Sequence, residues 1–342
     1  MIPLSLSPVP SPPATGRREA TATPGLDDLR AVALLLVVTQ HGISVFGVPT
    51  DAEFGPINLG QLGVTVFLAI SGALAVVPDQ PPVTWLRRRL VRVYPAFWLA
   101  LLASFVATWA FGYKSFGAAQ VASQLLGTGW FTHPANLVNS ASWFISLLLA
   151  CYATVFVARV THTENVVCLV VGCLAVWKGR FTGDYALLPV HMTSFFVAYL
   201  VTRAGWLRRA WVAGGLLGAA SVTNPYLAYP AVGVTLISLS AWSLRSRFVA
   251  CVSGYSYEFY LVHGMFFVGI ASLLPGLPVA GMIATAIAAS CAGAWILNRT
   301  VGWLRAYVSG AVSTAGKMGL QGDEVQSFPP STAGAPPHRA VS

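Results

Sequence analysis

Ten apolar runs, separated by short polar or proline-bearing stretches, make up most of the chain: about 27–48, 59–77, 94–112, 143–159, 165–178, 185–202, 211–223, 227–243, 249–273 and 278–300. Most approach or reach the roughly 17–25 residues a helix needs to cross a bilayer; the fifth and seventh offer only about 12 strongly apolar residues each. The pattern predicts an all-α polytopic membrane bundle of about ten transmembrane helices. Residues 1–25, rich in Pro, Ser, Thr and Ala, predict a disordered tail, and 306–342 a second one. That leaves 26–305 as one membrane domain with no internal repeat.

Composition agrees. Of 342 residues, 56% are hydrophobic and 9% charged, against about 25% charged in soluble domains. The net charge of +9 does not imply nucleic-acid binding, because the basic residues stand in short clusters between apolar runs. With the N-terminus inside, all 20 Lys and Arg fall on the inner side except Lys114, Lys178 and Arg180. This bias places both termini in the cytoplasm. All five cysteines lie within apolar runs, which predicts buried free thiols; Cys168 and Cys173 stand apart from histidines and carboxylates, which argues against a metal site.

Against this apolar background four stretches carry chemistry. In LDDLRAVALLLVVTQH (26–41), Arg30 and His41 are eleven residues apart, so they share a helix face about 16 Å apart, with Asp27 and Ser44 on the same side. Ionisable groups inside a span are costly and by default mark a functional site. A neutral imidazole in a dry cavity can take a proton from an alcohol, and Arg30 can pair with Asp27 or bind an anion. Residues 84–102 form a loop and span opening with four arginines. Arg88 and Arg92 are spaced i,i+4, and Arg89 and Arg92 i,i+3, which suits either phosphate binding or topological anchoring at headgroups. In GYSYEFYLVHGMFF (254–267), Ser256, Tyr260 and His263 share one face and Glu258 points nearly opposite; the strip either lines a cavity or joins helices through hydrogen bonds. In GVTVFLAISGALAV (63–76), Ser71-Gly72 favours close helix packing over a serine nucleophile, and Trp143 reads as an aromatic-belt residue. The outer loop 113–142, with Trp130, His133 and Asn136, is placed to cap a site.

Together, in this order, the motifs resemble the acyltransferase-3 family of integral membrane enzymes. Arg30 and His41 fit its Arg-x10-His opening, GVTVFLAISGALAV its second-span motif, Arg89, Arg92 and Pro95 its Arg-x-x-Arg-x-x-Pro element, and Ser256, Tyr257, Tyr260 and His263 its late Ser-Tyr-x-x-Tyr-Leu-x-His motif. Departures are Asp28 and Ala31 where glycine is frequent, and Leu148 where many members place a glutamate. The resemblance implies a membrane O-acyltransferase in a bacterial inner (plasma) membrane. It would carry no permanently bound cofactor and take acyl-CoA, acetyl-CoA by default, as co-substrate. The CoA phosphates would lie near Arg88, Arg89 and Arg92, His41 would activate a hydroxyl of a carbohydrate, glycolipid or glycoside acceptor, and Asp27, Ser71, Trp143, Ser256, Tyr257, Tyr260 and His263 are cavity or acceptor candidates. The competing reading is a ten-span small-molecule transporter, against which stands the lack of matching halves.

Overall fold

The computed structural model describes residues 24–47, 58–112, 114–167, 169–170, 188–244 and 246–320. The principal helices are α1 (Pro24–Phe46), α2 (Leu59–Ala75), α3 (Pro82–Ala110), α4 (Ala118–Leu125), α5 (Gly129–Thr132), α6 (Ser142–Val160), α7 (Leu188–Arg203), α8 (Ala210–Ala220), α9 (Ala228–Ser238), α10 (Arg247–Leu273) and α11 (Val279–Leu320). No strand occurs among the described residues, as the apolar pattern predicts. The chain divides into two compact units, Met1–Asn298 and Arg299–Ser342, and the packing that builds the site lies wholly within the first.

Four described helices are long and apolar enough to cross a membrane: Gly25–Phe46, Pro82–Ala110, Ser142–Val160 and Val279–Val308. Leu59–Ala75 and Pro225–Ala241 are apolar but shorter. At 27 residues α10 has the length, about 40 Å at 1.5 Å per residue, but not the apolarity, because it carries Ser253, Ser256, Tyr257, Glu258 and His263. Most of the expected span at 165–178 (168 and 171–178), the tail to residue 23, Cys168, Cys173, Lys178, Arg180 and Arg245 lie outside the described residues.

Three sequence-based expectations change. The arginine cluster is not in a loop. α3 starts with Pro82 at its first turn, where a missing N–H costs nothing, and continues through Pro95, so the arginines and the span share one helix. The helix α11 runs to Leu320, past the expected start of the tail at 306, with no proline before that point to stop it. Of the thiols, Cys151 is buried, whereas Cys251 and Cys291 are exposed on helix surfaces. Large apolar side chains are exposed there too, among them Leu35, Val106, Trp109 and Trp295, as expected of surface that meets lipid.

At the centre of the bundle α2 packs closely on three neighbours. Between helices in lipid there is no hydrophobic driving force, so small residues that permit backbone approach carry the packing. A Cβ on Gly63 would come within 2.5 Å of the Ala33 carbonyl oxygen of α1, and one on Gly72 would overlap the Phe195 carbonyl oxygen of α7. On α9, a Cβ at Gly233 would sit 3.2 Å from the Thr65 methyl. A core of Leu26, Leu29, Ala33, Val66, Ala69, Ile70, Ala198, Val234 and Ile237 fills the space between these four helices. Packing is thus the role of Ser71-Gly72 that the structure displays.

At one end of α2 the first-turn amides are capped: the Leu59 N–H donates to Gln40 Oε1 at 3.2 Å and the Gln61 N–H to Asn58 Oδ1 at 3.0 Å. At the other end Arg89 donates to the Leu74 carbonyl and Trp85 Nε1 to the Ala75 carbonyl at 2.9 Å, while the Arg89 guanidinium lies over the Trp85 and Tyr152 rings.

Gly72→Ala is expected to destabilise the detergent-solubilised protein by about 2 kcal/mol or more, because a backbone carbonyl cannot yield as a side chain can. Gly254, with open space around it, is the control. Its alanine variant gains helix propensity, about 0.5–1 kcal/mol. Thermal unfolding of both variants checks the contrast.

Candidate active site

The residues singled out in the sequence fall into two clusters, one at each end of a column formed by α1 and α10. Near the start of α1, Asp27 Oδ1 accepts from Arg30 at 2.5 Å and from Ser253 Oγ of α10 at 3.0 Å. Ser256 Oγ donates to the Ser253 carbonyl at 2.8 Å, and the Tyr257 hydroxyl donates to the Val93 carbonyl of α3 at 2.9 Å. Arg92 of α3 lies within electrostatic reach of Arg30. Tyr257 therefore joins α10 to α3, whereas Ser256 bonds back to its own helix. Arg88 and Arg92 are exposed, whereas Arg89 is largely enclosed by its carbonyl and aromatic partners.

About three turns further along α1, a cavity of about 210 Å³ is lined by Gln40, His41 and Ser44 of α1, Asn58, Gln61 and Val64 of α2 and its cap, Ser140, Ala141 and Trp143 at the head of α6, and Tyr260 and His263 of α10. Four expected residues, His41, Trp143, Tyr260 and His263, thus meet in one cavity. Asp27, Arg30, Ser71, Arg88, Arg89, Arg92, Ser256 and Tyr257 do not line it. Among the described residues the lining contains no carboxylate, lysine or arginine.

Two histidines dominate the chemistry. His41 Nδ1 is 2.9 Å from the Val37 carbonyl oxygen, and His263 Nδ1 is 2.6 Å from that of Tyr260. A carbonyl only accepts, so each Nδ1 carries a proton, and in the neutral ring each Nε2 keeps its lone pair. The two rings meet edge to face with centroids 4.7 Å apart. His263 Nε2 is buried and has no hydrogen-bond partner among the described residues. Glu258 faces away from this column, accepting from Asn298 Nδ2 of α11 at 3.2 Å, as the helical spacing predicts.

Residues that local pattern does not disclose complete the walls. Asn139 is buried; its Nδ2 donates to Ser104 Oγ at 3.1 Å and to the Leu261 carbonyl at 2.9 Å, and its Oδ1 accepts from the Ala141 N–H at 2.9 Å. This pins the start of α6, and with it Trp143, to α3 and α10. The Trp130 ring, from the loop expected to cap the site, stands 5.8 Å from that of Trp143. His191 of α7, almost fully buried, packs its ring 5.4 Å from Trp143 and reaches Gln61 and Thr65 of α2. No periodicity marks His191 or Asn139. Their only local signal is a polar side chain set beside or within an apolar run.

The fold and site define a helical membrane protein with a histidine-lined cavity between its helices. The sequence profile of the Acyltransferase domain family (Acyl_transf_3) matches residues 23–299, and the chain belongs to that family. It is therefore a membrane acyltransferase. No curated protein and no solved structure matches the chain.

Asp27→Asn keeps an oxygen for Ser253 and Arg30 and is expected to unfold within about 1 kcal/mol of the native chain, whereas Asp27→Leu leaves Arg30 without its partner and costs about 2–3 kcal/mol. Thermal unfolding in detergent separates the two.

Proposed function

We propose that the protein transfers an acyl group, acetyl by default, from acyl-CoA to a hydroxyl of an uncharged carbohydrate or glycoside, with His41 as general base. The observation that carries this reading is the Nδ1–H of His41 bonded to the Val37 carbonyl, which leaves Nε2 unprotonated in a polar cavity whose described lining residues carry no formal charge. The acceptor O–H gives its proton to Nε2 as its oxygen attacks the thioester carbonyl carbon. The tetrahedral intermediate collapses, the C–S bond breaks, and the CoA thiolate takes the proton back from the imidazolium. The Val37 carbonyl holds one tautomer and favours the transient cation.

The positive end of the column supports acyl-CoA as donor. Arg88 and Arg92 are exposed there and present guanidinium groups to phosphates, while Arg89 braces α2 and Arg30 is held by Asp27. Amide and hydroxyl groups beside Trp143, with no counter-charge, suit a neutral sugar. The arrangement in the bilayer goes with this: ten spans, both termini in the cytoplasm, and the plasma membrane as location, in line with the inner-side bias of the Lys and Arg residues.

Membranes carrying the native chain or His41→Ala at matched expression, given labelled acetyl-CoA and host extract, test the reading. Native membranes are expected to place label in a base-labile ester, and the variant to do so about 10²–10⁴-fold more slowly. Equal transfer by both chains removes His41 from the mechanism.

A further inference from the structure

Two buried histidines, His263 and His191, have no step in the mechanism, and the partners of His191 lie in or beside the cavity wall. His191 Nε2 is 2.8 Å from Gln61 Oε1, and its Nδ1 is 3.1 Å from Thr65 Oγ1. The Thr65 hydroxyl is also 2.8 Å from the Gln61 main-chain carbonyl, one turn back on α2. The amide oxygen of Gln61 only accepts, so the ring must carry its proton on Nε2. A lone pair at that place would face another at hydrogen-bond distance. Neutral His191 then keeps a lone pair on Nδ1, and the Thr65 hydroxyl turns its one proton to that lone pair instead of to the Gln61 carbonyl. This tautomer is the reverse of that in His41 and His263.

The consequence falls on Gln61, which lines the cavity. With Oε1 held by a buried ring, its –NH2 is the end left for a ligand. Other nitrogen donors of the lining are engaged: Gln40 spends Oε1 on the Leu59 amide and Nε2 on Ser44 Oγ, and both ring N–H groups of His41 and His263 go to carbonyls. We infer that His191 is a positioning residue that fixes the Gln61 amide with its –NH2 toward the acyl acceptor, so that Gln61 donates a hydrogen bond to an acceptor oxygen while the reacting hydroxyl gives its own proton to His41. The pair thereby selects an acceptor that offers an ether or hydroxyl oxygen beside the reacting hydroxyl. This rests on the acyl-transfer reading for its substrate, but the tautomer does not.

Two measurements test it. In the purified native chain labelled with 15N-histidine, the two-bond nitrogen–proton pattern assigned to His191, identified by its loss in His191→Gln, is expected to be that of the Nε2–H tautomer; the Nδ1–H pattern overturns the inference, whatever the activity. In transfer assays with the acceptor labelled by the native chain, Gln61→Ala and His191→Phe are each expected to raise the acceptor KM about tenfold while leaving the acyl-CoA KM within about twofold. The double variant is expected to match either single one, and His191→Gln, which keeps a donor at the Nε2 position, to recover most of the loss. Multiplying effects in the double variant, or a rise in acyl-CoA KM instead, overturns the role. Should the native chain transfer no acyl group, the proposed function fails and the tautomer still decides the placement of Gln61. Should His191→Phe not fold, Gln61→Ala and the native-chain spectrum decide.

Discussion

The site depends on how closely α2 approaches its neighbours. Gly63 lies against the Ala33 carbonyl and Gly72 against that of Phe195, so three helix backbones come nearer than any side chain would allow. That approach brings Gln61 and Thr65 within hydrogen-bond distance of His191 on α7. Hydrogen bonds weaken steeply past about 3.2 Å. Adding a methyl group at either glycine would push the helices apart by more than the bonds can tolerate. Packing and polar geometry in this bundle are therefore one constraint. The small residues are set where apolar contact alone would leave the helices too far apart to share a polar group.

What the sequence made legible follows helix periodicity. A separation of eleven residues puts Arg30 and His41 on one face of α1, and the strip Ser256, Tyr260, His263 with Glu258 opposite is the arrangement found on α10. Periodicity gives the face of a helix and not the depth at which a neighbour meets it. Ser256 and Tyr257 accordingly sit with Asp27 and Val93, a turn or more away from the cavity that Tyr260 and His263 line. His191 and Gln61 are 130 residues apart, and Asn139 and Leu261 are 122 apart. Pairings of that kind leave no trace in local spacing. Membership of the acyltransferase family was legible because its motifs are local. The groups that orient those motifs come from elsewhere in the chain.

Both α1 and α10 contribute to each cluster, and the clusters differ in charge. The first balances guanidinium groups against Asp27, its carboxylate further held by Ser253. In the second, around His41, the described lining residues carry no formal charge. A donor with a phosphate-bearing head and a neutral thioester arm has the same polarity along its length. Nothing in the column asks a charged group to pass the histidines, where burial would be costly.

The partner of His41 bears on the same point. In hydrolases with a serine nucleophile, a carboxylate orients the histidine and stabilises the imidazolium. Here the Val37 carbonyl takes that place. It fixes the tautomer equally well, because it only accepts, but it adds no negative charge of its own. A carboxylate would favour a standing imidazolium, and Nε2 would then have no lone pair to offer an alcohol. In the proposed mechanism a carbonyl adds no such bias, and a cation formed only during transfer would give that proton readily to a departing thiolate. On that reading a backbone oxygen suits a base that is protonated once per turnover and neutral again at the end.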